Sequence, residues 1–212
     1  MKKIVVLGLA FVLFCLASSL VLVSCQNKKV LLPHANETIT ADVKNQSSVY
    51  FFFKTEEKDT LIEVNQSNLL SSGNRVFNID RRLSLRKVIM EIKRLQDKKE
   101  ASENYFSYTD TIKKAIAFLP FTKVKYKLEK PDFNVVYFYL DRNDLVHFKD
   151  EVFSKNELLT FLNKKSVAAS VIVFAYDKGM SFEKYIEYQF FIKNLHINQK
   201  GIVINTNSEY IY

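Results

Sequence analysis

The stretch from Ser170 to Leu195 constrains the fold of this chain more than any other segment. Its first part, Val171 to Ala175, is a short continuous apolar run with the β-branched content expected of a buried strand. The residues from Asp177 to Gly179 interrupt the run and predict a turn. Ser181 then stands where a helix N-cap would, and apolar residues from Phe182 to Phe190 recur at helical spacing. The stretch therefore predicts a strand, a turn and an amphipathic helix.

The turn contains the residues of this stretch with the most specific chemistry. Gly179 is one of four glycines in the chain, and we expect it to take a positive φ angle. Asp177 follows a buried strand, a position from which a carboxylate accepts hydrogen bonds from nearby backbone N–H groups. We interpret Asp177, Gly179 and the helical Tyr185 as turn or interface residues and not as catalytic ones.

The residues before this stretch predict a hairpin and a short helix. Val135 to Leu140 is apolar on both faces, which indicates a central strand covered by helices on at least one side. A polar turn and a second short strand follow it. Ser154 and Glu157 have the spacing of a capping box, and Leu158 to Leu162 supply the buried face of a short helix. Beyond the longer helix, Gly201 to Asn205 predicts a last strand.

This order resembles the soluble domain of the ExbD/TolR family of biopolymer transport proteins. That pattern has a β-hairpin with a polar turn, a helix, a buried strand ending near an Asp, a helix that opens with a hydroxyl or small residue, and a last strand. Here the Asp is Asp177, and Tyr185 with Ile186 matches a Tyr-Ile pair in the family's helix, so the resemblance covers residues 130–212. The segment Lys29 to Ala35 also resembles the V-x-L-P-x-A stretch that the family places after its membrane helix.

Residues 49–129 predict a first α+β unit. Its strands are indicated by apolar and β-branched runs, and its helices by hydroxyl residues that stand before apolar residues at helical spacing. The predicted elements are a hairpin of Val49 to Phe53 with Leu61 to Val64, a helix after Ser84, a second helix from a Ser107–Asp110 capping box to Pro120, and an edge strand at Lys123 to Leu128.

The two units resemble each other as copies of a degenerate tandem repeat, at 49–128 and 130–212. Their hairpins are similar, and the S-Y-T-D-T-I sequence from Ser107 parallels S-F-E-K-Y-I from Ser181. In this alignment the first copy lacks an equivalent of the strand at Val171 to Phe174. The alternative is that two modules share only turn and cap chemistry. In both cases the predicted class is α+β, with two small α/β-sandwich-type units that each combine a sheet, a hairpin and two helices.

Residues 1–24 predict export to the cell envelope. Two lysines precede the apolar stretch from Ile4 to Val23, and Leu22 to Cys25 resembles the lipobox of a bacterial lipoprotein, in which the chain is cut before the Cys and a lipid is attached to its sulfur. Cys25 is therefore the predicted lipid-attachment site. The alternative is a retained membrane helix, because about 20 apolar residues can span a bilayer. Residues 25–48 are polar and lack periodicity, so we expect a tether there.

Either anchor places the folded part on the periplasmic side of a membrane, and whether this is the inner or the outer membrane stays open. The two lysines hold the N-terminus on the cytoplasmic side. Cys15 lies within the apolar stretch, so the exported part contains no cysteine besides Cys25 and cannot form an intrachain disulfide.

Composition and motifs favour a protein without a catalytic centre. Lys and Arg number 31 against 23 Asp and Glu, but the lysines are spread along the chain, which indicates a solvated surface and not a nucleic-acid-binding block. None of His34, His147 and His196 has a second ligand at a neighbouring helical or strand position, so we expect no metal site. The glycine-rich loops that bind phosphate groups are absent, so we expect no cofactor.

The family resemblance implies a function, and one departure changes it. Members are bitopic subunits of proton-driven energy transducers, whose membrane helix carries an acidic residue and whose soluble domain dimerises and engages a partner or peptidoglycan. The stretch from Ile4 to Val23 contains no Asp or Glu, so we do not expect this chain to couple to protons itself.

Two functions remain open at this point. The first is a non-enzymatic, membrane-anchored accessory or scaffold protein of a transport or cell-envelope complex. Its expected partners are a second copy bound through the strand at Gly201 to Asn205, an envelope protein, or peptidoglycan. The alternative is a lipoprotein that binds a small ligand or an envelope polysaccharide in the cleft between the two units.

Overall fold

A computed structural model describes residues 29–56, 59–65, 73–98, 103–164, 170–197 and 201–212 of the chain. Within these residues it contains two six-stranded mixed sheets and three α-helices. The predicted α+β class in two units is therefore confirmed. The predictions for residues 1–28, including the lipid-attachment site Cys25, concern residues outside the described ranges.

The first unit is built on the predicted hairpin. Its described elements are β1 (His34–Ala35), β2 (Gln46–Glu56), β3 (Asp59–Asn65), β4 (Asn74–Ile79), α1 (Leu85–Lys98), β5 (Asn104–Asp110) and β6 (Ala115–Pro120). Strand β2 pairs antiparallel with β3 and parallel with β4, and β4 pairs parallel with β5. Strands β1 and β6 both pair with β5, parallel and antiparallel respectively.

Residues 130–212 of the second unit have the expected element order, but the edge strand predicted at Lys123 to Leu128 was assigned to the wrong unit, because it pairs in the second sheet. The elements of the second unit are β7 (Lys125–Lys127), β8 (Val136–Leu140), β9 (Leu145–Phe148), β10 (Glu151–Ser154), a 3₁₀ turn (Lys155–Glu157), α2 (Leu158–Lys164), β11 (Ser170–Tyr176), α3 (Phe182–Lys193) and β12 (Ile202–Ile211). The strand order is β10-β9-β8-β11-β12-β7, so β8 is an interior strand, as predicted. The capping box also forms, because the Glu157 carboxylate accepts the Ser154 N–H at 2.8 Å.

The helix predicted from Ser107 to Pro120 is wrong, because this segment forms β5 and β6. Alternate residues of β5 point into the core, and Phe106 and Tyr108 are fully buried there. The Ser107 hydroxyl does not cap a helix but donates to the Phe77 carbonyl of β4 at 3.1 Å. Burial of large aromatic side chains on one face of a strand outweighs a local capping signal. Among the described residues, the first unit therefore contains one α-helix.

The two units share one arrangement, but in a different alignment from the predicted one. In both, a hairpin is followed by a parallel strand, a turn, a helix and a further parallel strand. The counterpart of β11 is β4, so the expectation that the first copy lacks this strand is wrong. The counterpart of Ser181 is Ser84 and not Ser107. The interval from Asp80 to Ser84 and Leu85 equals that from Asp177 to Ser181 and Phe182.

The starts of helices α1 and α3 pair with each other across the two units. Ser84 and Ser181 form an isolated antiparallel bridge. Because each backbone donor on one unit has its counterpart on the other, the contact has approximate two-fold symmetry. The four hydrogen bonds of this junction are Leu85 N–H to the Met180 carbonyl and Phe182 N–H to the Leu83 carbonyl, both 2.8 Å, Arg86 N–H to the Lys178 carbonyl at 3.1 Å, and Glu183 N–H to the Arg81 carbonyl at 3.0 Å.

Buried side chains from both units form one continuous hydrophobic core. Phe106 of β5 contacts Phe182 of α3 edge-on, with 5.2 Å between ring centroids, and stacks on Phe121 at 3.7 Å. Phe182 also packs against Tyr185. The two units therefore share their core and should not unfold independently.

The segment expected to be a tether is, in its described part, attached to both units. Leu31 donates its N–H to the Asp80 carboxylate at 3.2 Å, and its carbonyl accepts the Arg81 N–H at 2.8 Å. His34 donates its N–H to the Glu183 carboxylate of α3 at 3.1 Å. Residues 31–35 thus lie across the junction, which the polar composition of this segment did not indicate.

We predict that Phe182→Ala lowers the free energy of unfolding by about 3 to 5 kcal/mol, because it removes a fully buried ring that both units contact. Thermal unfolding should remain a single transition. The control is Phe133→Ala, which truncates a fully exposed ring and should change stability by no more than about 0.5 kcal/mol. Two separate transitions in the Phe182 variant, one at the temperature of the wild type, would contradict the shared core.

Candidate binding surfaces

The outer face of the second sheet carries a group of tyrosines, which we call the tyrosine face. Tyr137 and Tyr139 of β8, Tyr210 of β12 and the following Tyr212 pack with Val173 and other small apolar residues in a cluster separate from the shared core. The shared core, with the buried side chains of α2 and α3, lies on the opposite face of this sheet. The tyrosine face is therefore the side of the sheet that these helices do not cover.

Strand register places aromatic and basic side chains in one row across this face. His147, Tyr139, Ala175, Tyr210 and Lys127 are successive partners on β9, β8, β11, β12 and β7. Cross-strand partners on one face lie close enough for their side chains to interact. Accordingly the rings of Tyr139 and His147 lie 5.6 Å apart, and the Lys127 ammonium donates to the Tyr210 hydroxyl at 3.0 Å.

A groove of about 700 Å³ opens over part of the tyrosine face. Tyr137, Tyr139 and Tyr212 form its floor together with His147, and Phe133, Lys130 and Lys149 lie along it. Burial and a hydrogen bond with Tyr137 raise the pKa of Tyr212. The groove offers aromatic rings with hydroxyl groups, a combination suited to a ligand with both apolar and polar surface.

One edge of β12 is open beside this face. Strand β12 pairs with β11 at both of its ends, but it pairs with the three-residue β7 only at Ser208–Tyr210. Within the described ranges, no strand pairs with the other side of residues 202–207. Val203 lies on this part of the strand with 58% of its surface exposed. Unpaired strand edges of this kind accept a further strand from another chain.

A second, smaller cleft of about 480 Å³ lies between the N-terminal segment and helix α3. It is lined by His34 and Glu37 on one side and by Glu183, Glu187, Phe190 and Asn194 of α3 on the other. Its carboxylates already have partners in the protein. Glu183 contacts His34 and Arg81, Glu187 accepts from Lys184 at 2.7 Å, and Glu37 accepts from Asn194 at 3.3 Å. The contacts of Glu183 with His34 and of Asn194 with Glu37 attach the N-terminal segment to α3.

A buried polar cluster lies below the sheet, around Glu209 of β12. The Glu209 carboxylate accepts the Tyr185 hydroxyl at 2.7 Å and the Gln189 amide at 2.9 Å. Gln189 also donates to the Tyr176 hydroxyl at 3.0 Å, and the Tyr126 hydroxyl lies 3.4 Å from that of Tyr185. Glu209 is 5% exposed. The charge of this carboxylate has no cationic partner among the described residues.

Burial raises the pKa of Glu209 to about 7, while the hydrogen bonds from Tyr185 and Gln189 act in the opposite direction. Burial, with the nearby carboxylate of Glu209, also raises the pKa of Tyr126, Tyr176 and Tyr185 well above its usual value. The cluster therefore has one group, Glu209, whose charge changes near neutral pH. Because it is enclosed in the shared core, the cluster contributes to stability rather than to contact with a ligand.

The predicted turn and interface residues have distinct positions. Asp177 accepts the Gly179 N–H at 2.7 Å and the Arg142 guanidinium at 2.6 Å, and desolvation of its carboxylate is outweighed by these bonds, so its pKa is lowered. Lys178 lies between Asp177 and Gly179 in the chain, and its carbonyl accepts the Arg86 N–H at the junction. Tyr185 is buried in the Glu209 cluster.

The expectation that Gly179 takes a positive φ angle is wrong. The positive-φ glycines of the described residues are Gly73 and Gly201. The position instead leaves little room for a side chain, because a Cβ there would lie 2.3 Å from Nη2 of Arg142. The absence of a side chain allows the Arg142 guanidinium to lie against the turn and to reach Asp177.

Each histidine has its own polar neighbours in the structure. No group of three or more metal-ligating side chains occurs in the part of the chain that the structure describes. His147 lies 3.2 Å from the Asp141 carboxylate, which also accepts the N–H groups of Asn143 and Leu145 as a turn residue does. His196 bonds to the Asn194 carbonyl.

Among the described helices, none is long and apolar enough to cross a membrane.

Comparison with known protein families, with curated proteins and with solved structures finds no match to this chain. The tyrosine face and the Glu209 cluster were not identified from the sequence. Tyr137 and Tyr139 alternate with buried residues in V-V-Y-F-Y-L, which is a detectable signal for the outer face of a strand. Glu209 gives no comparable signal, because a lone glutamate near a strand end is usually exposed.

We predict that Glu209 makes the protein less stable as pH rises. Its pKa in the folded state, about 7, lies above that of an unfolded glutamate, so its contribution is complete below about pH 4 and is lost as pH rises to about 7. The loss should be about 3 kcal/mol at most. Glu209→Gln should remove this dependence, as measured by urea unfolding at about pH 5 and about pH 8. An unchanged pH dependence in this variant would assign the titration to another group.

Proposed function

We propose that this protein is a non-enzymatic, membrane-anchored protein of the cell envelope that serves as an accessory or scaffold in a transport or envelope complex. In this proposal its second unit resembles the soluble domain of the ExbD/TolR family and faces the periplasm. The observation that carries the proposal is the tyrosine face with its adjoining open β12 edge. A sheet that exposes both an aromatic face and an unpaired edge is suited to hold a partner.

The order of elements in the second unit supports the family resemblance. A hairpin, a helix, a strand that ends just before Asp177, a Ser-capped helix and a last parallel strand follow one another, as in the family pattern. The Ser181 hydroxyl accepts the Lys184 N–H and caps α3. The support comes from the order of the elements and not from a specific sequence motif, and other small α+β modules share this order.

The N-terminal stretch supports the accessory role. Ile4 to Val23 offers an apolar anchor, but it has no carboxylate for proton transfer within a bilayer. A chain of this kind can hold a binding module at the membrane, while any proton-driven step would belong to a partner. The proposed anchor is either a lipid on Cys25 or the apolar stretch itself.

We propose a second copy of the chain as one partner of the open β12 edge. Pairing of two β12 strands would extend the sheet across two molecules and would leave the tyrosine face of each open. Main-chain hydrogen bonds would supply the contact, and Val203 would lie at its centre because it is on the unpaired part of β12.

Val203→Lys should prevent this dimer, because a charged side chain on a strand edge opposes pairing. We expect the wild-type protein to sediment as a dimer at tens of micromolar concentration and the variant as a monomer. Val152→Lys is a matched control, since Val152 is 56% exposed and lies on β10 at the opposite edge of the sheet. A monomeric wild type, or equal loss in both variants, would contradict pairing through β12.

An envelope polysaccharide such as peptidoglycan is a second candidate partner, favoured by the groove on the tyrosine face. Tyrosine rings can stack on the apolar faces of sugar rings, and their hydroxyls can bond to sugar hydroxyl groups. Lys130 and Lys149 along the groove add positive charge that suits a polymer carrying carboxylates. The smaller cleft at helix α3 is less suited to a polymer, because the N-terminal segment closes one side of it.

Tyr139→Leu should reduce retention of the protein on insoluble peptidoglycan by about tenfold, because it removes the central ring of the groove while keeping an apolar side chain on β8. Tyr50→Leu is the control, since Tyr50 is a partly exposed tyrosine of the first sheet. Sedimentation with purified peptidoglycan measures the difference. Equal retention of both variants and the wild type would exclude the tyrosine face as the binding site.

A further inference from the structure

Basic side chains gather at the junction of the two units, where the N-terminal segment enters the fold. We call this group the cationic pole, and its exposed or half-exposed members are Lys29, Arg81, Arg82, Arg86, Arg142 and Lys178. The hydrogen bonds of the junction fix their backbones next to one another. Arg86 N–H bonds to the Lys178 carbonyl, Arg142 lies against Gly179, and Leu31 bonds to Arg81.

Carboxylates neutralise only part of this charge. Asp80 pairs with Arg82 at 2.8 Å, Asp177 with Arg142 at 2.6 Å, and Glu183 with Arg81 at 3.4 Å. Asp141, next to Arg142 in the chain, pairs with His147.

Lys29, Arg86 and Lys178 are exposed and have no acidic partner within the described ranges. Both helices that begin at the junction add the positive end of their dipole to this charge. The pole therefore presents a net positive surface to the solvent.

The chain reaches the pole immediately after the proposed anchor. From Cys25 to Leu31, whose backbone bonds to Asp80 and Arg81 of the fold, a fully extended chain spans about 20 Å. A longer tether, as expected from the sequence, would have let the folded part move far from the bilayer. With this short connection the junction can lie no farther than about 20 Å from a lipid-bearing Cys25.

We propose that the cationic pole binds the anionic lipid headgroups of the membrane in which the N-terminal segment is anchored. This inference rests on the proposed anchoring of the protein. Because the pole occupies one place on the protein surface, this contact would fix the orientation of the folded part relative to the membrane. It would therefore also fix the direction in which the tyrosine face points. Each basic side chain near an anionic surface adds to the attraction, and salt weakens it.

Lysine acylation of the full chain in lipid vesicles tests this contact. In vesicles with about 30 mol% phosphatidylglycerol, Lys178 should be acylated about five- to tenfold more slowly than in phosphatidylcholine vesicles, and high salt should remove the difference. Lys123 and Lys125, exposed near β7 and outside the pole, should be acylated at the same rate in both. Mass spectrometry of the peptides gives each rate. Equal rates at Lys178 in the two kinds of vesicle would overturn the proposal.

Charge reversal separates this contact from the anchor. Arg86→Glu combined with Lys178→Glu should abolish the protection of Lys29 by anionic vesicles, whereas Lys123→Glu combined with Lys125→Glu should leave it intact. Both double variants change exposed side chains, and equal thermal unfolding would show that they fold alike. If Lys29 stays protected in the variant with Arg86→Glu and Lys178→Glu, the lipid contact of the pole is overturned, while the proposed anchoring is not. Failure of the wild-type chain to remain with vesicles of either composition would instead overturn the anchoring and this inference together.

Discussion

The pairing of two helix starts is the interaction on which the rest of this structure depends. Leu85 and Phe182 each donate a backbone N–H across the junction, at 2.8 Å, to a carbonyl of the other unit. First-turn N–H groups of a helix have no partner within their own helix, so each unit supplies the carbonyl acceptors that the helix of the other unit lacks. The Asp80 and Asp177 carboxylates hold the two turns in the shape that this pairing requires. The shared core around Phe106 and Phe182 then makes the arrangement rigid.

This junction also determines where the proposed binding surfaces lie. It holds the N-terminal segment between the units, so the proposed anchor would meet the fold at the cationic pole and not at the end of a long tether. The tyrosine face and the open edge of β12 are on the second sheet, and the face reaches the junction at Tyr212, whose carbonyl accepts the Lys178 N–H at 3.1 Å. In the proposed function, a fixed body of this kind would present the face to a partner in one orientation relative to the membrane.

Much of the second unit could be predicted from the sequence, because each of its signals is local. The turn at Asp177, the cap at Ser181 and the box of Ser154 with Glu157 act within a few residues of themselves. The first unit was predicted less well for the same reason. The capping pattern at Ser107 is local, but the burial of Phe106 and Tyr108 that makes β5 a strand depends on residues far away in the chain.

The binding surfaces could not be predicted from the sequence, because they depend on the order of the strands in the sheets, which a single sequence does not give. The tyrosines of β8 become a face only when Ala175 and Tyr210 lie beside them, and Glu209 becomes a buried acid only when α3 covers it. The correspondence of Ser84 with Ser181 had a local signal, because D-R-R-L-S-L parallels D-K-G-M-S-F, but the bridge between the two serines is visible only in the structure.

Hydrogen exchange at the junction tests most directly whether the two units form one body. The amide protons of Leu85 and Phe182 should exchange only through global unfolding, with protection equal to that of the buried strands β4 and β11. Such protection would mean that the junction opens only when the shared core does. Fast exchange at both amides, with the two sheets still protected, would show that the units separate in the native state and would contradict the account.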